Sequence, residues 1–148
     1  MIARTGLDGT PGSISFESVN FPGYYLRHAG YTCQLNKKDG SNLFNLDASF
    51  NQITTPEDSI KLQSVNFPDY LLTHENQRVR ISRFNNALTD NSLTYAQWRP
   101  TKKSEATTDP TEPPAPVVVA LPQKYELDKT YQMTVDSEPD RFMRHRGY

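Results

Sequence analysis

Apolar and polar residues alternate with a period of two along much of this chain, as in a strand with one face turned inward. Ile14 and Phe16 take one face, and Ser13, Ser15 and Glu17 the other. After an Asn-Phe-Pro turn, Tyr24, Leu26 and His28 share a face, and a polar turn leads to a strand carrying Cys33 and Leu35. Lys38-Asp39-Gly40 reads as a hairpin-like turn, because Asp-Gly supports positive φ at low steric cost. LDASF, ending at Phe50, reads as a fourth strand, and no segment carries a convincing helical pattern. Eleven prolines, eight tyrosines and seven phenylalanines strengthen the expectation of strands and turns.

The pattern repeats. SVNFPGYYLRH, from Ser18 to His28, returns as SVNFPDYLLTH, from Ser64 to His74, at an offset of 46. Ser13 with Ser59, Cys33 with Val79 and Leu35 with Ile81 keep that register, and TYAQW stands where LDASF stood. A weaker third copy, EPDRFMRH, sets Pro139 six residues before His145, as Pro22 precedes His28 and Pro68 precedes His74. Upstream of it, Tyr131 and Met133 take the places of Ile14 and Phe16.

About four short strands per unit, used three times, predict an all-β fold: a β-trefoil of three pseudo-symmetric lobes closed into a barrel. A propeller is the rival architecture, and three blades are too few for one. The third unit is about fifteen residues short of 46 even when the first twelve residues are counted as its tail. One lobe is therefore expected to be incomplete or out of order, in a fragment or in a single rearranged trefoil. The expected division is two complete lobes plus the tail of another over residues 1–103, a Pro/Thr-rich linker over 104–127, and the start of a further lobe over 128–148.

Length and charge narrow the function. A chain of 148 residues suits one compact domain with a real core. Sixteen basic and seventeen acidic side chains nearly cancel, without the basic stripe that a nucleic-acid partner requires. No apolar run approaches the roughly 20 residues that span a bilayer, so no membrane partner is expected. The opening MIARTGLDGTPG lacks the apolar core of a signal peptide. The single Cys33 excludes an internal disulfide and a thiolate metal cluster, and its position opposite Val79 marks it as a small core residue.

Among the repeated positions, Ser18-Val19-Asn20 and the proline are turn builders. Each histidine ends a strand at the rim, where a neutral imidazole offers one donor and one acceptor. That suits the paired hydroxyls of a sugar, and equally suits tying down a turn. Asp47 favours the sugar in the first unit, because a carboxylate accepts from adjacent hydroxyls; by itself it would read as a strand-end cap. Aligning Phe50 with Trp98 puts Tyr95 opposite Asp47 in the second unit. No catalytic constellation is present: Glu17 is matched by Gln63 and Thr134, and no G-x-S-x-G, H-E-x-x-H or glycine-rich phosphate loop occurs. A non-catalytic binding module without cofactor or metal is expected.

The first copy, SISFESVNFPGYYLRHAGYTCQLNKKDGSNLFNLDASF, resembles the arabinofuranose-binding carbohydrate module of arabinofuranosidase B-type enzymes. The resemblance covers about residues 3 to 100, with the last histidine phrase resembling an opening lobe. It implies a β-trefoil whose shallow pockets hold arabinofuranosyl side chains of arabinoxylan or arabinan, with a glycoside hydrolase in the same or a neighbouring polypeptide and an extracellular location. Carried over to this chain, its pocket residues are His28 and Asp47, with His74 and His145 in the other lobes. The aromatic that follows the histidine in that family is absent, since Ala29, Glu75 and Arg146 stand there, and Tyr31 is the substitute. Tyr95 takes the second lobe's acidic position. The alternative is a protein-interaction trefoil with no sugar binding.

Overall fold

The computed structural model describes residues 1–55, 59–85, 96, 98–102, 125–135 and 138–142. β1 (Ile2–Thr5) precedes the first repeat, which runs β2 (Ile14–Glu17), β3 (Tyr24–Ala29), β4 (Thr32–Lys37), a short helix α1 (Asn42–Asp47) and β5 (Phe50–Thr54). The second has β6 (Ile60–Ser64), β7 (Tyr70–Glu75), β8 (Arg78–Arg83) and β9 (Trp98–Lys102), followed by β10 (Tyr131–Val135) and β11 (Glu138–Phe142). All the strand pairings among the described residues are antiparallel.

The sequence repeat is a repeat of pairing register. Glu17 faces Tyr25, Gln63 faces Leu71 and Thr134 faces Phe142, which are the same two positions in each copy. Ile14 faces Phe50 as Ile60 faces Trp98, so the alignment of Phe50 with Trp98 holds in three dimensions. Both long hairpins turn through two residues with positive φ, Gly30-Tyr31 and Asn76-Gln77, the backbone twist that matches the flanking strands.

The pairings close on themselves. β2, β3, β4, β8, β7, β6 and β5 form a closed ring of seven strands. A second circuit runs β1–β2–β5–β6–β9–β10 and returns to β1 through the Ile2–Thr130 bridge. The N-terminal amine donates to the Tyr131 carbonyl at 2.8 Å, and Arg4 joins Glu17 on β2 to Asp128. Closure matters because it leaves few unpaired strand edges. The core inside holds Phe16, Phe50, Leu62, Leu72, Trp98, Tyr125 and Tyr131, with Tyr125 edge-on to Phe16 and Tyr131 at 4.9 and 5.0 Å.

Four expectations change. Leu46 and Asp47 belong to a helix rather than a strand: Ser41 caps it by accepting from the Phe44 amide, and Lys38–Gly40 lead into it instead of turning a hairpin. Six residues are too few for a helical period to show. Tyr24, at the start of β3, is 36 % exposed, whereas Leu26 and His28 on the same strand face are buried. Tyr125, placed in the linker from its proline-rich surroundings, is a core residue that exchanges hydrogen bonds with Gln52. His28 is not at the rim: it is 2 % exposed.

Candidate functional site

His28, near the end of β3, lies beneath the turn of the following repeat. In that turn, Ser64 accepts from the Phe67 amide, and the Phe67 carbonyl accepts from the Tyr70 amide; Ser18, Phe21 and Tyr24 make the same two bonds in the first copy. The turn is therefore a local consequence of the phrase, formed wherever it is written.

What differs is the neighbour. The Nε2 of His28 lies 3.0 Å from both Ser64 Oγ and Asn66 Oδ1. Asn66 donates through Nδ2 to Asp47 Oδ1 at 2.7 Å, and Arg27 donates to Asp47 Oδ2 at 2.9 Å. Arg27 in turn lies over the Phe44 ring, 5.1 Å from its centroid. Asp47 is only 5 % exposed and ends α1, where the helix dipole disfavours a carboxylate, so Arg27 and Asn66 hold it there. His28 Nδ1 faces Asp47 Oδ1 at 3.8 Å, beyond hydrogen-bond length.

Burial lowers the pKa of His28 below its ordinary 6.5; Asp47 and the bond to Asn66 oppose the shift without reversing it. The ring is neutral at pH 7. With Nε2–H donating to Asn66, Nδ1 keeps a free lone pair beside the carboxylate. Two acceptors 3.8 Å apart are an arrangement that adjacent hydroxyl donors can satisfy.

One aromatic ring, Phe67, covers this cluster, and Tyr31 and Tyr70 pack against that ring. Phe67 meets His28 edge-on at 5.5 Å, and Tyr31, carried by the β3–β4 turn, stacks on Tyr70 at 5.2 Å with an interplanar angle of 22°. Phe67 and Tyr31 are 39 % and 45 % exposed, so apolar faces meet solvent directly above buried polar groups. The structure thus brings together three of the residues singled out in the sequence: His28, Asp47 and Tyr31. His74 is elsewhere, packed at 6.2 Å from Trp98 in the second repeat. Tyr95 and His145 lie outside the described residues. Ser64, Asn66, Phe67, Tyr70 and Arg27 complete the candidate site without standing out in the sequence. The repeated Asn-Phe carries the signal, but by itself it reads only as a turn.

Residues 2–99 match the family described as the alpha-L-arabinofuranosidase B (ABFB) domain. The chain belongs to that family. ABFB-type relatives include alpha-L-arabinofuranosidase B of Emericella nidulans, 48 % identical over 59 residues, and that of Aspergillus oryzae, 47 % identical over 47 residues. These alignments take in 38 % and 32 % of this chain but only 11 % and 9 % of the two relatives. Among solved structures, a GH54 α-L-arabinofuranosidase soaked with a cyclic sulfate inhibitor is similar over 64 % of this chain and 20 % of its own, at 28 % identity and a TM-score of 0.54. An arabinofuranosidase complexed with arabinofuranosyl-α-1,2-xylobiose matches with the same values. The ABFB match runs from β1 into β9 and so contains the whole His28–Asp47 cluster.

Proposed function

We propose that this chain is a non-catalytic carbohydrate-binding module, a β-trefoil that holds arabinofuranosyl side chains of hemicellulose such as arabinoxylan or arabinan. Membership of the ABFB domain family supports a carbohydrate-binding role. The threefold recurrence of the Glu17–Tyr25 pairing, with closure of β10 onto β1, supports one trefoil written out of order. The observation that carries the sugar reading is the His28–Asp47 pair, with unused acceptor capacity beneath exposed rings.

In this reading the pentose lays its apolar face on Phe67 or Tyr31 and directs two hydroxyls at His28 Nδ1 and Asp47. Both acceptors are nearly sealed, so entry of the sugar requires the Phe67 ring to turn aside. Asn66 keeps the imidazole in the tautomer that leaves Nδ1 open. One such pocket gives roughly millimolar affinity, about 4 kcal/mol. Further pockets on the same polymer raise it through effective concentration. The role is to keep an attached or partner glycoside hydrolase on decorated cell-wall polysaccharide outside the cell.

Depletion on insoluble arabinoxylan, compared with the same xylan stripped of arabinose, tests the proposal. Retention on the first alone is expected. Equal retention on both removes the arabinose reading, and none on either leaves a protein-interaction module.

A further inference from the structure

β8 reads RVRISR, and its sister strand β4 reads TCQLNK. At the repeat offset, Arg78 and Arg80 stand where Thr32 and Gln34 stand, and Arg83 where Lys37 stands. The two strands have the same hairpin register, so the fold does not require the arginines of β8. In a chain whose charges otherwise nearly cancel, three guanidiniums on six residues are a local departure.

An open depression of about 290 Å³ lies where Tyr31 crosses the seam between β4 and β8. It is lined by the stacked Tyr31 and Tyr70, by Arg80 and Arg83, and by Ile81 and Ser82. The Ile81 amide donates to the Tyr31 carbonyl at 2.9 Å, which fixes the turn over the strand. Arg83 stands directly across the ladder from Tyr70, and no described carboxylate lies within ion-pair distance of it. Arg80 meets Glu75 at 3.0 Å, with both side chains about half exposed, a pairing that is weak in water and leaves most of its donors free.

We infer that this depression is a second saccharide subsite that takes a carboxylate-bearing sugar, a uronate ring lying on the tyrosines with its carboxylate held by Arg83, which shares the Tyr70 face of the ladder, while Arg80 adds positive charge from the other face of β8. Planar guanidinium donors match a carboxylate in paired hydrogen bonds, and an exposed aromatic face suits the apolar face of a pyranose. Tyr31 borders this depression and packs on Phe67, the ring over His28, so one polymer carrying neutral pentose and acidic branches would be read by adjoining sites. The inference rests on the carbohydrate-binding reading, but not on arabinose.

Affinity electrophoresis of the full chain through xylan that carries glucuronic acid branches and no arabinose tests it. The comparison gel holds the same polymer after reduction of its carboxyl groups. The expected result is about tenfold weaker retention by the reduced polymer, and a similar loss for the variant Arg80→Gln/Arg83→Gln on the acidic one. Arg80→Gln reproduces the sister strand, and the comparison of polymers needs no variant. Equal retention by acidic and reduced polymers overturns the inference, as does an unaffected variant. Equally tight retention by dextran sulfate or polyglutamate also overturns it, revealing a general anion surface. Asp47→Asn is expected to abolish arabinose-dependent retention while leaving that on acidic xylan intact, so the two readings fail separately.

Discussion

Asn66 and Asn20 occupy the same position of the same phrase, which makes them a built-in comparison. Asn66 makes three side-chain hydrogen bonds, to His28, Ser64 and Asp47, at 3.0, 2.9 and 2.7 Å. Asn20 is exposed and makes none to the described residues. Asn66→Ala leaves the buried Asp47 carboxylate with Arg27 alone and His28 Nε2 with Ser64 alone. Bonds between neutral groups contribute about 1 kcal/mol net and those to a charged group about 1.5–3. Allowing for relaxation, the loss is about 3 kcal/mol, or roughly 10 °C in Tm for a domain of this size. Asn20→Ala should stay within about 0.5 kcal/mol, as exposed substitutions do. Thermal and urea unfolding of both variants, followed by circular dichroism, measures the difference. Losses that agree within 1–2 °C would refute the view that the second turn is the socket for the first repeat's histidine.

Three further outcomes are expected. His28, depressed below 6.5 by burial, contributes stability that is fully present above that value and is lost as pH falls through its lower folded pKa; Glu17 and Asp8, depressed below 4.5 and 3.8, add a second loss at lower pH. Urea unfolding between pH 7.5 and 3 should show both phases, and His28→Gln should remove only the upper one. Cys33, its thiol pushed up to about 12 by burial, should resist alkylation at pH 8 until the protein unfolds; prompt labelling of the native chain would contradict its place against the core. Retention on arabinoxylan should fall far more for His28→Ala than for His74→Ala, once unfolding curves show both variants folded, because His28 is the histidine that faces the Asp47 carboxylate, at 3.8 Å, beneath the exposed Phe67 ring; equal losses would contradict that ranking.

Much of the fold was legible because it is written as periodicity. The offset of 46 fixed which residues occupy equivalent places, and the cross-strand partners of Ile14, Glu17 and Leu26 recur at Ile60, Gln63 and Leu72. The helix before Ser49 was not legible, although Ser41 directly after Gly40 is a capping signal. A period of two tells which face of a strand is inward, but not which repeat lies against it. His28 and Asp47 were therefore identified as site residues while their partners Ser64 and Asn66 were not. Burial followed from the same omission: a histidine at a strand end is at the rim of its own repeat, and the next repeat's turn covers it.

Arabinose binding requires a pentose to reach a polar cluster shared by two repeats. Two-dimensional NMR of the labelled chain during titration with methyl α-L-arabinofuranoside, and separately with methyl β-D-xylopyranoside, follows that cluster directly. Saturable shifts of the His28 ring and the Asn66 side-chain amide are expected with the arabinoside, and almost none with the xyloside. Shifts confined to other surfaces, or identical with both sugars, would contradict it.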